Sequence, residues 1–149
     1  MSASILIVED HPAWINQLTA KFNEEFNGDG AYDIRKAETM QEALEVLNGQ
    51  NVPSLVVLDL FIPAMKGGEE SHVNGVKVIS TIQRIREQGT PIKLLVITSH
   101  RERGKDYLAL SKEWGVDGFY FKDIQTVDDL LMVSRVALEG FSETEVTRR

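Results

Sequence analysis

The stretch SLVVLDLFIP, residues 54–63, decides how the rest of the sequence is interpreted. Its apolar run stops at a carboxylate, Asp59, and then resumes with Leu60 and Phe61. An isolated carboxylate inside so hydrophobic a segment is costly to bury unless another group pairs with it. Asp59 is therefore either an ordinary solvated residue at the end of a strand or the chemical centre of the molecule.

The composition is typical of one globular domain. The chain has 149 residues, enough to bury one substantial core, and its 42% hydrophobic and 26% charged residues argue against a disordered or fibrous protein. The net charge of −7 argues against direct binding of this domain to nucleic acid or to an anionic membrane. The lack of cysteine excludes disulfides and thiolate metal sites. The sequence shows neither a signal peptide nor a membrane span, so we expect a cytoplasmic location.

Short apolar runs alternate with stretches of helical spacing along the whole chain. The runs predict five strands, at residues 5–8, 32–34, 55–58, 94–97 and 119–121. Most of them lack polar alternation, as expected for central strands that are covered on both faces. Apolar stripes with helical spacing follow each run and predict five amphipathic helices, within residues 15–26, 40–47, 76–85, 107–114 and 127–137.

Helix boundary signals agree with this alternation. Thr39 with Glu42, and Thr126 with Asp129, have the spacing of capping boxes at helix starts, and Gly115 is placed to end the fourth helix. The pattern predicts a (βα)5 fold of the α/β class, with helices on both faces of a parallel sheet. Ligands in such sheets bind beyond the carboxyl ends of the strands.

Polar side chains that could perform chemistry follow four of the predicted strands. Glu9 and Asp10 follow the first strand, Asp59 ends the third, Thr98 ends the fourth and Lys122 follows the fifth. If strands one and three are neighbours, three carboxylates converge on one crevice, where their repulsion would be severe without a cation.

The ligand types in this crevice predict a hard divalent ion. All the candidate ligands are oxygen atoms, which Mg²⁺ prefers. Thr98 could donate a hydrogen bond and Lys122 could supply positive charge to an anion bound at the metal. These are the parts that phosphoryl transfer requires, and Asp59 is the candidate nucleophile because a carboxylate can form an aspartyl phosphate.

The sequence resembles the receiver (CheY-like) domains of bacterial two-component response regulators. The resemblance lies in the motifs ILIVEDHP, LVVLDLFIP, NGVKVI, LLVITS and GFYFK, at residues 5–12, 55–63, 74–79, 94–99 and 118–122. It implies a doubly wound, flavodoxin-like sheet in the order 2-1-3-4-5. We expect residues 1–141 to form the receiver domain and residues 142–149 to be a tail or a truncated linker.

The resemblance also assigns roles in the metal site. Glu9 and Asp10 resemble the acidic pair that binds Mg²⁺, and Asp59 resembles the phosphoacceptor. The backbone carbonyl of Phe61 would be a further metal ligand. A sensor histidine kinase or a phosphotransfer protein would donate the phosphoryl group to Asp59.

The switch is implied by the same resemblance. Thr98 resembles the switch hydroxyl, Lys122 the family lysine that binds the phosphoryl group, and Phe119 the aromatic residue that moves on activation. Their movement would change the surface of the fourth helix, fifth strand and fifth helix. That surface would act on an output domain or partner protein, and phosphorylation could produce a homodimer. Such a domain is not an enzyme acting on a separate substrate, although slow hydrolysis of its own phosphoaspartate is expected.

Two features depart from the family pattern. Asp123 stands where the family has a proline after the lysine, so we expect a trans peptide and a rearranged loop. The family places a glycine four residues after the proline of the third loop, whereas Gly75 lies twelve residues after Pro63, so eight residues are extra. We expect this insertion to be a mobile, solvated loop; the sharper hypothesis is a lid over Asp59.

Other functions remain open at this level. A phosphorylation-independent pseudo-receiver is favoured by the two departures, and a Mg²⁺-dependent aspartyl phosphatase is disfavoured because Phe61 stands where the second acid is needed. Phe61 could exclude an attacking water from the phosphoryl group, which would slow hydrolysis. His100 could orient such a water, which would speed hydrolysis. The chain could be a stand-alone receiver or come from a DNA-binding regulator, and its kinase and regulated process are not specified by the sequence.

Overall fold

The computed structural model describes residues 3–26, 32–99, 112–122 and 126–147. Seven strands are present in the described ranges: β1 (Ala3–Val8), β2 (Tyr32–Ala37), β3 (Leu55–Asp59), β4 (Ile62–Pro63), β5 (Glu70–Ser71), β6 (Lys93–Thr98) and β7 (Gly118–Phe121). The long described helices are α1 (Pro12–Phe26), α2 (Met40–Leu47), α3 (His72–Glu87) and α4 (Val127–Thr147).

Five strands form one parallel sheet in the order β2-β1-β3-β6-β7. Because β6 and β7 are the fourth and fifth strands of this sheet along the chain, the predicted order 2-1-3-4-5 is confirmed. β4 and β5 form a separate antiparallel pair outside the sheet. The reversal of strand order lies between β1 and β3, which is where α/β sheets of this type bind ligands.

Helices cover both faces of the sheet because successive strand residues point to opposite sides. Leu6 and Val8 of β1 belong to a core cluster that includes residues of α2 and α3. Ile5 and Ile7 belong to a second cluster with residues of α1 and α4. All of β3 is buried. The continuous apolar runs of the sequence are therefore explained by burial on both faces.

Of the two capping boxes predicted from sequence, the one at Thr126 is complete and the one at Thr39 is formed in part. The Glu42 N–H donates to Oγ1 of Thr39 over 3.1 Å, and the Glu42 carboxylate accepts from the Glu38 N–H over 2.8 Å. At the start of α4, the N–H groups of Thr126 and Asp129 each donate to the other's side chain, over 2.9 and 3.2 Å. These contacts satisfy backbone donors that the first helical turn leaves without partners.

The C-terminal part of the chain is described in pieces. The fourth predicted helix falls largely on residues 100–111, outside the described residues, while residues 112–114 are helical and Gly115 has a φ of 64°. This left-handed conformation is typical of a glycine that ends a helix. The fifth predicted helix is α4, whose backbone continues to Thr147, past the predicted domain boundary at residue 141.

The loop after β3 and the start of α3 are in close contact. A Cβ atom at position 75 would lie 2.4 Å from the carbonyl oxygen of Leu60, so only glycine permits this approach. Next to it, the Asn74 side chain donates to the carbonyl of Ile62 over 2.9 Å. These contacts fix the path of the chain that leaves Asp59.

No helix among the described residues combines the length and the apolar character that crossing a bilayer requires.

Candidate functional site

A cleft of about 380 Å³ opens at the carboxyl edge of the sheet. β1 and β3 are hydrogen-bonded neighbours, with Val8 paired to Leu58, so the residues that follow them lie side by side. The residues lining the cleft are Glu9, Asp10, His11, Trp14, Asp59, Phe61, Glu70, Ser99 and Lys122. The predicted convergence of strand-end side chains is thus present in the structure.

Lys122 forms ion pairs with two buried carboxylates. Its Nζ atom lies 2.5 Å from Oε2 of Glu9 and 3.1 Å from Oδ2 of Asp59. Glu9 is 1% exposed and Asp59 is 6% exposed. The remaining oxygen of each carboxylate accepts a backbone hydrogen bond, from the N–H of Phe61 to Asp59 and from the N–H of His11 to Glu9.

Carboxylate oxygens of Glu9, Asp10 and Asp59 lie within 4.8 Å of one another. Apart from its ion pair with Lys122, the buried Oε2 atom of Glu9 has no hydrogen-bond partner among the described residues. Oxygen ligands gathered around excess negative charge suit a hard divalent cation. The residues present therefore fit Mg²⁺.

The pKa values in the cleft follow from burial of like charges. Burial, together with the nearby Asp59 charge, raises the pKa of Glu9 from 4.5 to about 7, against the lowering effect of Lys122. Burial also raises the pKa of Asp59, again opposed by Lys122. Burial alone would lower the pKa of Lys122, but attraction to Asp59 and Glu9 raises it on balance, so the side chain carries its charge.

The two predicted switch residues lie outside the cleft lining. Thr98 is fully buried at the end of β6, and its carbonyl accepts a hydrogen bond from the N–H of Lys122 over 2.9 Å. Phe119 is half-buried on β7 and packs against the core cluster that includes residues of α2 and α3. Their roles in a switch stay predictions, as does metal binding by the Phe61 carbonyl.

Sequence reasoning did not identify the contact of Trp14 with the site. The Lys122 Nζ atom lies 5.2 Å from the centroid of the Trp14 ring, within the range of a cation–π interaction. The Trp14 ring also makes an edge-to-face contact with the ring of Tyr120. The position of Trp14, in the first turn of α1 just after the acidic pair, is the signal that could have revealed it.

The insertion after β3 contacts the rest of the fold at both of its ends, and the prediction that it is mobile stays a prediction. Its side chains from Met65 to Glu70 are exposed, as expected for a solvated segment. Its two ends pair as β4 and β5, and the carbonyl of Ala64 accepts a hydrogen bond from the N–H of Gln41 at the start of α2. Glu70 lines the cleft, a contact that no sequence pattern indicated. The lid hypothesis stays a prediction.

The expectations for Asp123 and His100 concern residues outside the described part of the chain. The trans peptide, the rearranged loop and the effect of His100 on hydrolysis therefore stay predictions.

Comparison with known proteins identifies the family to which the chain belongs. Residues 5–134 match the family model of the response regulator receiver domain. The chain belongs to this family, the class of protein to which its parallel sheet and acidic cleft also point. Receiver domains are phosphoacceptors rather than enzymes in general, they bind Mg²⁺ through acidic residues, and they interact with histidine kinases and output domains.

Solved structures of receiver domains share the fold. The bacteriophytochrome response regulator AtBRR is 27% identical, with a TM-score of 0.62 over 93% of this chain and 91% of its own. The non-phosphorylated HemR receiver domain from Leptospira biflexa is 24% identical, with a TM-score of 0.60 over 91% and 94%.

The N-terminal domain of a response regulator/sensory box/GGDEF protein from Carboxydothermus hydrogenoformans is 23% identical, with a TM-score of 0.63 over 95% and 98% of the two chains. A comparison with curated proteins finds no match.

Proposed function

We propose that this receiver domain accepts a phosphoryl group on Asp59 from a histidine kinase or a phosphotransfer protein, in a reaction that requires Mg²⁺. The observation that carries the proposal is the environment of Asp59 at the end of β3. One of its oxygens accepts the N–H of Phe61 over 3.0 Å, the other pairs with Lys122 over 3.1 Å, and the side chain borders the cleft. A carboxylate oriented in this way at an accessible cleft is suited to nucleophilic attack on phosphorus.

In the transfer step, a carboxylate oxygen of Asp59 forms a bond to phosphorus while the bond between phosphorus and the donor's histidine nitrogen breaks. The donor imidazole keeps the electron pair of the broken bond and is protonated from solvent. Lys122 pairs with the phosphoryl oxygens, because its ammonium group already lies beside Asp59. Most of the catalysis is positioning and charge neutralisation.

The metal site proposed for this step consists of Glu9, Asp10 and Asp59, with the backbone carbonyl of Phe61. Bound Mg²⁺ neutralises developing charge on the phosphoryl oxygens. The support is the cluster of carboxylate oxygens within 4.8 Å of one another and the all-oxygen donor set. Glu9 contributes an oxygen that has no other role beyond its ion pair with Lys122.

Phosphorylation would be read out through Thr98 and Phe119. The Thr98 hydroxyl would bind a phosphoryl oxygen, and its inward movement would leave space for Phe119. The surface formed by the predicted helix within residues 107–114, by β7 and by the C-terminal helix α4 would then repack, as a shift between two populated states. The hydrogen bond from the N–H of Lys122 to the carbonyl of Thr98 supports this coupling. On α4, Met132 and Val136 are 65% and 62% exposed, which suits a surface that binds a partner.

The output partner is an output domain, another protein or a second copy of the phosphorylated chain, bound through the same surface. We also propose that the phosphoaspartate is hydrolysed slowly and that the protein is located in the cytoplasm of a bacterial cell. Residues 1–141 would form the receiver domain, and residues 142–149 a tail or a truncated linker. The net charge of −7 argues against direct DNA binding by this domain.

A second candidate is a pseudo-receiver that acts through binding alone. It is favoured by Asp123 in place of the family proline and by the insertion before Gly75. A phosphatase acting on a separate substrate is disfavoured, because Phe61 lines the cleft where a second acid would be needed.

Intact-mass spectrometry tests the proposal directly. Wild-type protein and Asp59→Asn are incubated with acetyl phosphate, in Mg²⁺ or in excess chelator, and circular dichroism verifies that both are folded. We expect one phosphoryl adduct in wild-type protein with Mg²⁺ and none in the other samples. Absence of the adduct from wild-type protein would favour the pseudo-receiver, and an equal adduct in Asp59→Asn would refute Asp59 as the acceptor.

A further inference from the structure

The insertion holds Glu70 at a defined position beside the cleft. Glu70 is paired with Pro63 in the β4–β5 ladder, and Ser71 caps α3 by accepting the N–H of Val73 over 3.2 Å. On the other side of the ladder, Ala64 is hydrogen-bonded to the start of α2. The backbone of residue 70 therefore lies between a strand pair and a helix cap, both of which restrict its position.

The Glu70 side chain reaches the acidic cluster from the solvent side. It is exposed, and it lines the cleft together with Asp10 and Asp59. Ionised carboxylates that share one cleft repel one another, and a bound cation relieves this repulsion.

An independent feature at the floor of the same cleft points to the cation. The Oε2 atom of Glu9 is buried, and among the described residues it has no hydrogen-bond partner apart from the Lys122 ammonium with which it forms an ion pair. Among the described residues, four that line the cleft carry carboxyl groups, Glu9, Asp10, Asp59 and Glu70, and Lys122 is the one lysine or arginine. One ammonium cannot neutralise four carboxylates, so the charge balance of the cleft favours a divalent ion.

We propose that Glu70 is an accessory ligand of the divalent cation, supplied by the insertion, which increases the affinity of the Glu9, Asp10 and Asp59 cluster for that cation. The inference rests on the cation site of the proposed function and extends it to a residue outside the motifs of the sequence. A bound ion would then have carboxylate ligands from the floor of the cleft, where Glu9 and Asp59 are buried, and from its solvent side, where Glu70 is exposed. Higher ligand number and charge increase affinity for such ions.

The test compares Glu70→Gln with Glu69→Gln in the unphosphorylated protein. Both variants remove one negative charge from the same exposed segment, but Glu69 does not line the cleft. Mg²⁺ is titrated into each by calorimetry, and tryptophan fluorescence, to which Trp14 beside the cleft contributes, provides a second reading. We expect Glu70→Gln to weaken Mg²⁺ binding by about tenfold, as is typical when a group supporting a metal site is removed, and Glu69→Gln to leave it unchanged.

Asp10→Asn separates failure of this inference from failure of the cation site. Loss of Mg²⁺ binding in Asp10→Asn with wild-type affinity in Glu70→Gln would overturn the role of Glu70 alone. Equal weakening by Glu69→Gln and Glu70→Gln would also overturn it, because a general charge effect would then account for the change. No Mg²⁺ binding by wild-type protein would overturn both the inference and the metal site.

Discussion

Replacing Glu9 with glutamine is expected to stabilise the metal-free protein at pH 8. The pKa of Glu9 is raised from 4.5 to about 7, mainly by burial, so ionised Glu9 opposes folding. Each pH unit of displacement corresponds to about 1.4 kcal/mol, which gives a cost on the order of 3 kcal/mol once the carboxyl is ionised. Glutamine keeps the size of the side chain without the charge and should recover a large part of that free energy.

The sign of the pH dependence follows from proton binding. The folded protein binds the Glu9 proton more tightly than the unfolded chain does, so this contribution to wild-type stability is complete below about pH 4.5 and is lost as the pH rises through about 7. The advantage of Glu9→Gln should therefore be absent near pH 4, grow through this range and be largest at pH 8.

The assay is urea unfolding in chelator at pH 4, 6 and 8, followed by circular dichroism. Glu45→Gln is the matched control, because Glu45 is exposed on α2 and should change the free energy of unfolding by less than about 0.5 kcal/mol at every pH. The reasoning would be refuted if Glu9→Gln lowered stability at pH 8, or if its effect were the same at all three pH values.

Two further substitutions test the contacts that shape the site. Lys122→Gln leaves two buried carboxylates without their counterion, so we expect a loss of about 3 to 5 kcal/mol in the free energy of unfolding at pH 8, measured in chelator, and a smaller loss at pH 5. Gly75→Ala places a Cβ atom 2.4 Å from the carbonyl oxygen of Leu60, so we expect a loss of about 2 to 3 kcal/mol in urea unfolding, although alanine favours helix formation.

A control variant and contradicting outcomes complete these two tests. For Gly75→Ala the control is Ser80→Ala on the exposed side of α3, expected to be neutral or slightly stabilising, and equal effects of the two variants would contradict the close approach to Leu60. For Lys122→Gln, wild-type stability at pH 8 would mean that the ion pairs do not hold the carboxylates in the folded protein.

The sheet and the floor of the site could be predicted from sequence because both follow from strand positions. The run at residues 55–58 is apolar throughout since β3 is buried on both faces, and such runs are readily recognised. The carboxyl ends of parallel strands meet at one edge of the sheet, so the sequence alone predicts that Glu9, Asp59 and Lys122 lie close together. The side chains do lie within ion-pair distance, although β6 separates β3 from β7, the strand that precedes Lys122.

The sequence did not reveal that Trp14 and Glu70 lie at the site, because their positions depend on tertiary contacts that leave no periodic pattern in the sequence. Trp14 precedes Ile15 and Leu18 in an apolar stripe, and spacing alone cannot distinguish a core residue from one that lies beside a lysine. Glu70 lies in a two-residue strand whose ladder is tied to α2 through Ala64. Strands of this length have no pattern that sequence can reveal.

Burial of negative charge links the stability of this fold to its affinity for a cation. Glu9 and Asp59 are held in the folded protein at a cost that Lys122 only partly offsets, as the raised pKa values of both carboxyl groups indicate. Removing a buried carboxylate should therefore stabilise the metal-free fold and weaken metal binding at the same time. Glu70 is exposed, so its replacement should weaken metal binding with little change in stability. A ligand supplied by an exposed insertion thus adds affinity without adding to the cost of folding.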